Sequence, residues 1–274
     1  MAKASTQIIG VASGKGGVGK TTVSINLAVK LASLGKKVMI FDADLGLANA
    51  QLALGIRAPF NFSHVMSGEK TLSEVIIDGP SGVKLVPGAS GIQHMASLTG
   101  TETAGIIQAF SEIEDELDYL IVDVAAGLSD AVMAFMSACQ YRIVVLKNEP
   151  YSIADAYGTI KVMMQQHNLD RILLVPNGVE SQKEGERLYT SINSVIQNFL
   201  GGQVKYLYSI SADDMVVRSI KASQPLVTYA PTSAASRDFT QLAKQVMALD
   251  SEVPMSGKIQ FFVERVASQM ANRG

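Results

Sequence analysis

One short stretch, Gly14-Lys15-Gly16-Gly17-Val18-Gly19-Lys20-Thr21, limits what this chain can fold into more than any other. It follows the apolar run Ile8-Ile9-Gly10-Val11-Ala12 and precedes a helical pattern that begins near Lys20. Strand, glycine loop and helix, in that order, are the context in which G-x-x-x-x-G-K-[ST] reads as a phosphate-binding loop. Without Cβ atoms, the glycines let the backbone wrap an anion closely. Successive N–H groups then face the loop interior, and the helix N-terminus adds its positive dipole end. Lys20 supplies a point charge for β- and γ-phosphates, and the Thr21 hydroxyl can hold Mg2+. Lys15 is not required by that pattern.

The rest of the chain alternates apolar strands with amphipathic helices. Helices are expected over Lys20–Leu34, with Gly35 as its stop, and as short pieces over Gln51–Gly55 and Phe62–Ser67. Longer ones are expected over Thr101–Leu117, Ser152–His167, Gln182–Leu200, Asp213–Ala222 and Ala234–Leu249, with Ser129 capping another. Strands are expected over Lys37–Asp42, Val83–Pro87, Asp118–Asp123, Tyr141–Leu146, Arg171–Val175 and Val204–Ile210. This alternation predicts an α/β fold, a doubly wound and mostly parallel sheet with helices on both faces. Apolar residues make up 47% of the 274, which suits strands buried on both sides.

Several function classes are disfavoured. The densest apolar run, Ala131–Cys139, is far too short to span a membrane, and no apolar signal region precedes the first strand, so a cytoplasmic protein is expected. Cys139 is the only cysteine; it excludes an intrachain disulfide and a cysteine-only metal site, and it reads as a core residue beside Met136. A net charge of −2 gives no general case for nucleic-acid binding. His64, His94 and His167 are isolated, and the acidic group Glu112, Glu114, Asp115 and Glu116 reads as a solvated helix face.

Ligands of such sheets bind beyond the carboxyl ends of the strands. The polar residues gather at those ends: Asp42 and Asp44, Asp123, Asn148-Glu149 and Asn177. Beside a phosphate loop, a carboxylate closing an apolar strand, as Asp123 does, is the expected Mg2+-side aspartate.

At this point the residues resemble a known family. Lys15-Gly16-Gly17-Val18-Gly19-Lys20-Thr21-Thr22 looks like the deviant Walker A motif of the MinD/ParA ATPases. Asp42-Ala43-Asp44-Leu45-Gly46-Leu47-Ala48-Asn49 is similar to the MinD form of switch I and unlike the aspartate-proline-glutamine form of plasmid-partition ParA proteins. Asp123-Val124-Ala125-Ala126-Gly127 resembles switch II, with Ala125 where MinD usually has proline. Those alanines, Glu149-Pro150 and the tail Phe261-Phe262-Val263-Glu264-Arg265 resemble the flagellar-number regulators, the FlhG/FleN group.

The resemblance implies an ATPase that uses ATP, ADP and Mg2+ and forms a homodimer when ATP is bound. Lys15 matches the signature lysine that crosses to the partner's nucleotide, and Lys20 and Thr21 match the phosphate lysine and the Mg2+ ligand. Asp44 matches the aspartate that positions the attacking water, with Asp42 and Asp123 on the Mg2+ side. Glu149 matches a nucleotide contact across the dimer, and Asn177 the asparagine that reads the adenine edge. Ile210-Ser211 stands where the family has an Ile-Pro backbone beside the base. With Gly14, Gly16, Gly17, Val18, Gly19 and Thr22 of the loop, these residues make up the expected site.

The resemblance also implies a role: restraint of an enhancer-binding transcriptional activator of flagellar genes. The flagellar-placement GTPase and the flagellar switch proteins are further implied partners; no direct nucleic-acid contact is expected. Some of these regulators activate the GTPase through an N-terminal extension. Only a few residues precede the first strand here, so that mode is not expected. The domain reading is an ATPase domain over 1–250, a linker over 251–257 and an amphipathic helix over 258–274. Ile259, Phe262, Val263, Val266 and Met270 share one arc of that helix, which implies reversible contact with the inner face of the membrane or packing on the body. The alternatives are a MinD-type septum-positioning ATPase, disfavoured by the switch II alanines, and a ParA-type partition ATPase, disfavoured by the switch I form.

Overall fold

The computed structural model describes residues 6–45, 49–89, 100–113, 116–250 and 260–262. At its centre lies β1 (Gln7–Ala12), every residue of which is buried. It pairs in parallel with β5 (Tyr119–Val124) on one side and β6 (Tyr141–Leu146) on the other. Beyond β5 come β2 (Val38–Ala43), β4 (Lys84–Val86) and β3 (Ile77–Asp78), and beyond β6 come β7 (Ile172–Val179) and β8 (Lys205–Tyr206). A last short strand, β9 (Ile210–Ser211), also pairs with β7. The described strands are parallel except at the β3–β4 edge, where the chain turns back through the hairpin-like stretch 79–83. This is the expected doubly wound α/β architecture.

Because side chains alternate along a strand, neighbouring residues feed two separate cores. From β1, Ile8 and Ala12 enter one core while Ile9 and Val11 enter the other. On the first face pack α5 (Gly100–Ala109), α6 (Asp130–Ser137), α7 (Pro150–His167) and α8 (Gln182–Leu200). The second face is covered by α1 (Lys20–Ser33) and α11 (Ala234–Met247), with the short α2 (Ala50–Leu54), α9 (Asp214–Lys221) and α10 (Leu226–Tyr229) at its margin. Two more short helices, α3 (Phe62–Met66) and α4 (Leu72–Val75), complete the first side; both open on capping boxes, from Asn61 and Thr71.

Where sequence and structure differ, local physics gives the reason. The helix expected to reach Leu117 ends at Ala109, followed by a 3-10 turn over Phe110–Glu112; Ile113 is extended and buried. The strand expected over Val204–Ile210 is two short strands, separated where the buried Ser209 turns inward to meet Tyr206 and Gln182. Propensity reading also passed over α4 and α10, each only four residues long. Cys139 is fully buried, and together with Met136 it lies against Gly10, as expected.

The expected helix over 258–274 does not run through its two phenylalanines. Phe262 has φ 58, outside helical space, and residues 261–262 form a turn. Both rings are buried in the first core, where Phe261 meets Phe110 edge-on at 5.1 Å between centroids. The linker over 251–257 and the remainder of that helix lie outside the described residues. No described helix is long and apolar enough to cross a membrane.

Candidate functional site

The glycine loop leaves the end of β1 and closes on the first turn of α1. Gly17 and Gly19 adopt φ 82 and 94, a left-handed backbone that a side chain would strain. Gly14 serves a different need: a Cβ there would stand 2.4 Å from the main chain of Asp155 in α7. Gly16 and Gly17 face open space. The loop is tied from below, since the Ser13 hydroxyl donates to the Lys15 carbonyl at 3.0 Å and the Gly127 N–H donates to the Ser13 carbonyl at 3.0 Å. The second bond joins the phosphate loop to the loop that follows β5.

Register brings the carboxylates together. Asp123 on β5 sits opposite Val11 of β1 on one side and Asp42 of β2 on the other. Three donors from the first turns of α1 converge on Asp123. The Lys20 ammonium lies 2.8 Å from Oδ1, the Thr21 hydroxyl 2.7 Å from Oδ2 and the Ser24 hydroxyl 2.7 Å from Oδ1. Lys20 and Asp123 are both buried. Such a pair holds because further hydrogen bonds satisfy the carboxylate. Ser24 was not singled out in the sequence, although its position one turn after Lys20 places it on the same helix face.

Asp42 is buried beside Asp123. The N–H of Ala50 donates to its Oδ2 at 2.9 Å and that of Asp44 to its Oδ1 at 3.3 Å. Burial first, and then the charge of Asp123, pushes its pKa up to about 7. A hydroxyl and two carboxylates in one dry corner are the hard oxygen donors that suit a divalent cation such as Mg2+. A cation held there would remove the repulsion between the two aspartates. The donor set of Thr21, Asp42 and Asp123 therefore fits the ion.

The two loop lysines part company. Lys20 is buried against Asp123, whereas Lys15 is exposed, its ammonium 5.8 Å from the ring centroid of Tyr151 at the start of α7. Glu149 is exposed at the N-cap of that helix and makes no capping bond. Asn148 beside it donates to Glu184 of α8. Asp44 is half-buried next to Asp42.

Asn177 extends from β7 under the loop and donates from Nδ2 to the Val18 carbonyl at 2.7 Å. Ile210 pairs with it across the sheet, so the two expected base-side positions are neighbours. The Ser211 N–H is bound by Asp238 of α11 at 2.9 Å. Asp213, just beyond, accepts from Met215 and Ala235 and so caps α9 and α11 together. Asp238 and Asp213 were not anticipated; each accepts from backbone that the fold brings near, the N–H groups of Ser211 and Ala235. The half-buried Thr22 contributes its carbonyl to Asn26.

Comparison with known proteins identifies the family. A family profile described as an AAA domain matches residues 6–172. The chain is 41% identical to the antiactivator FleN of Pseudomonas aeruginosa, over 97% of this chain and 95% of that protein. It is 33% identical to the flagellum site-determining protein YlxH of Helicobacter pylori, over 95% of this chain and 90% of that one. Among solved structures, the septum site-determining protein MinD of Pyrococcus horikoshii, complexed with Mg-ADP, superposes with a TM-score of 0.73 at 27% identity, covering 88% of this chain and 96% of that one.

Proposed function

The chain belongs to the AAA-domain family of the MinD/ParA type, and from that premise we propose that it is an ATP-dependent dimerising switch that limits flagellar number by restraining a flagellar transcriptional activator. One observation carries the mechanism: of two lysines in a single phosphate loop, Lys20 is buried on Asp123 and Lys15 stands out in solvent. A lysine outside its own site is available to a second chain's site. This chemistry is that of a charge delivered in trans to the phosphoryl oxygens.

The chain's own residues divide the remaining work. The loop N–H groups from Gly14 to Thr22 and the α1 N-terminus hold the phosphates, and Lys20 leaves Asp123 to meet them. Thr21, Asp42 and Asp123 would hold Mg2+, which would supply positive charge against the phosphate oxygens. Asp44 orients the attacking water. Asn177, Ile210 and Ser211 border the base, and Glu149 reaches across the dimer. Loss of the γ-phosphate releases the loops after β2 and β5, and the chains part.

The flagellar role rests on the two flagellar relatives, and the septum-positioning and partition readings have no comparable support at that identity. Residues 1–250 form the working domain. The burial of Phe261 and Phe262 favours a tail that packs on the body in the free chain, and membrane contact then requires their release. Light scattering after chromatography tests the switch. Wild-type protein should be monomeric with ADP, Asp44→Ala should accumulate as a dimer with ATP, and Lys20→Gln should fail to dimerise. Hydrolysis by Asp44→Ala at the wild-type rate would remove the water-positioning role. A flagellar activator captured by the Asp44→Ala dimer supports the regulatory branch, whereas a division inhibitor on the same bait refutes it.

A further inference from the structure

The margin of the second face carries a surface that the nucleotide site does not explain. Leu52 of α2, Val217 and Ile220 of α9 and Tyr229 of α10 are 60%, 55%, 54% and 39% exposed. The elements that carry them abut: a Cβ on Gly55, at the end of α2, would lie 2.4 Å from the carbonyl oxygen of Ser223, just after α9. Helices α9 and α10 pack on each other as well. Exposed single apolar residues need no explanation, but four gathered on adjoining short helices do.

Three cations stand on the margin of this patch. Arg57, Arg218 and Lys221 are exposed, and none of them forms a salt bridge among the described residues. The exposed carboxylate of the α9 face, Asp214, lies at the far N-terminal end. We propose that this face docks an amphipathic helix of a protein partner, its apolar stripe on Val217, Ile220 and Leu52 and its acidic flank on Arg218, Lys221 and Arg57. The apolar centre argues against nucleic acid, which rewards cations without an oily middle. A membrane would favour one long helix with deep-reaching aromatics over this patchwork of short ones.

The same face is wired to the nucleotide site at both ends. The first N–H of α2, that of Ala50, is held by Asp42 at 2.9 Å, and α9 begins three residues after Ser211. A change at Asp42 or beside the base thus acts on the two helices that carry the patch, and this control rests on the nucleotide reading above.

The test uses a labelled peptide of about five helical turns with leucines on one face and glutamates on the other, and a twin with lysines for glutamates. Fluorescence anisotropy on the full chain without nucleotide should give at least about tenfold tighter binding of the acidic peptide. Ile220→Ser and Arg218→Glu should each weaken it by about tenfold or more, at unchanged melting temperature and nucleotide affinity. Equal binding of both peptides, binding of neither, or indifference to both substitutions overturns the surface. So does displacement of the acidic peptide by duplex DNA or by anionic vesicles through the same residues. With nucleotide occupancy verified, equal peptide affinity in AMP-PNP and in ADP overturns the coupling. Absence of nucleotide binding would instead defeat the switch reading and leave the peptide result standing.

Discussion

Gly19 and Asn177 are 158 positions apart in sequence and in contact in the fold, and a double-mutant cycle between them tests the loop's construction. Gly19 has φ 94 and ψ 20. An L-residue in this left-handed region costs about 1–2 kcal/mol. An added Cβ would also stand 2.2 Å from Asn177 Nδ2, so the amide must move. Moving it breaks the 2.7 Å bond to the Val18 carbonyl, worth about 0.5–1.5 kcal/mol. Gly19→Ala should therefore cost roughly 1.5–3.5 kcal/mol, the sum of the strain and the lost bond. Asn177→Ala loses the same hydrogen bond once, for about 0.5–1.5 kcal/mol. In the double variant the clash is gone and the bond is counted a single time, so its cost should fall short of the sum by about 1 kcal/mol. Urea unfolding of the nucleotide-free protein measures all four corners. Additivity to within about 0.3 kcal/mol would mean that Asn177 does not brace the loop, and the argument would fail.

Four further outcomes are expected. Ser24→Ala removes one of three donors to Asp123 and should cost about 1–2 kcal/mol in urea unfolding, since bonds to charged groups are the stronger kind; no loss would mean that Lys20 and Thr21 satisfy the carboxylate alone. Asp213→Ala uncaps two helices and should cost about 1–2 kcal/mol at neutral pH. Burial opposes the charge of Asp213, but the amides of Ala235 and Met215 outweigh it and lower the pKa. A lowered folded pKa means stability that is present above the unfolded value and lost as pH falls through the folded one. The gap between wild type and variant should therefore begin to narrow below about pH 4 and close only once the pH is below the lowered folded value; a gap that does not narrow through that range would refute the charged cap. Phe261→Ala empties a fully buried ring site and should cost about 3–5 kcal/mol; a change under about 1 kcal/mol would show that the ring is not seated against Phe110. Burial pushes the Cys139 thiol up to about 12, so a thiol reagent at mildly alkaline pH should label the unfolded chain and spare the folded one. Rapid labelling of native protein would contradict its place in the core.

Much of this protein is written locally in its sequence. The loop Gly14–Thr21, the apolar strands and the carboxylates that close them depend on neighbours in the chain, and alternation of strand and helix fixes the doubly wound sheet. Longer helices such as Gln182–Leu200 appear where periodicity puts them, because burial and period agree. Short pieces such as α4 and α10 carry too few residues for a period to register, and the helix expected to reach Leu117 stops at Ala109, with Ile113 extended and buried in the core.

The site divides in the same way. Lys20, Thr21, Asp42 and Asp123 are legible as types at the right places in the chain. Only the parallel register of β2, β5 and β1 sets Asp42 beside Asp123 and both beneath the loop, leaving Ser24 to complete the cluster. Gly14 and Gly19 look alike in sequence, yet one makes room for the α7 main chain and the other for Asn177. The opposite fates of Lys15 and Lys20 likewise come from the fold. A sequence can state which residues carry charge, but which charge is buried and which faces a second chain depends on surfaces that exist only once the strands have paired.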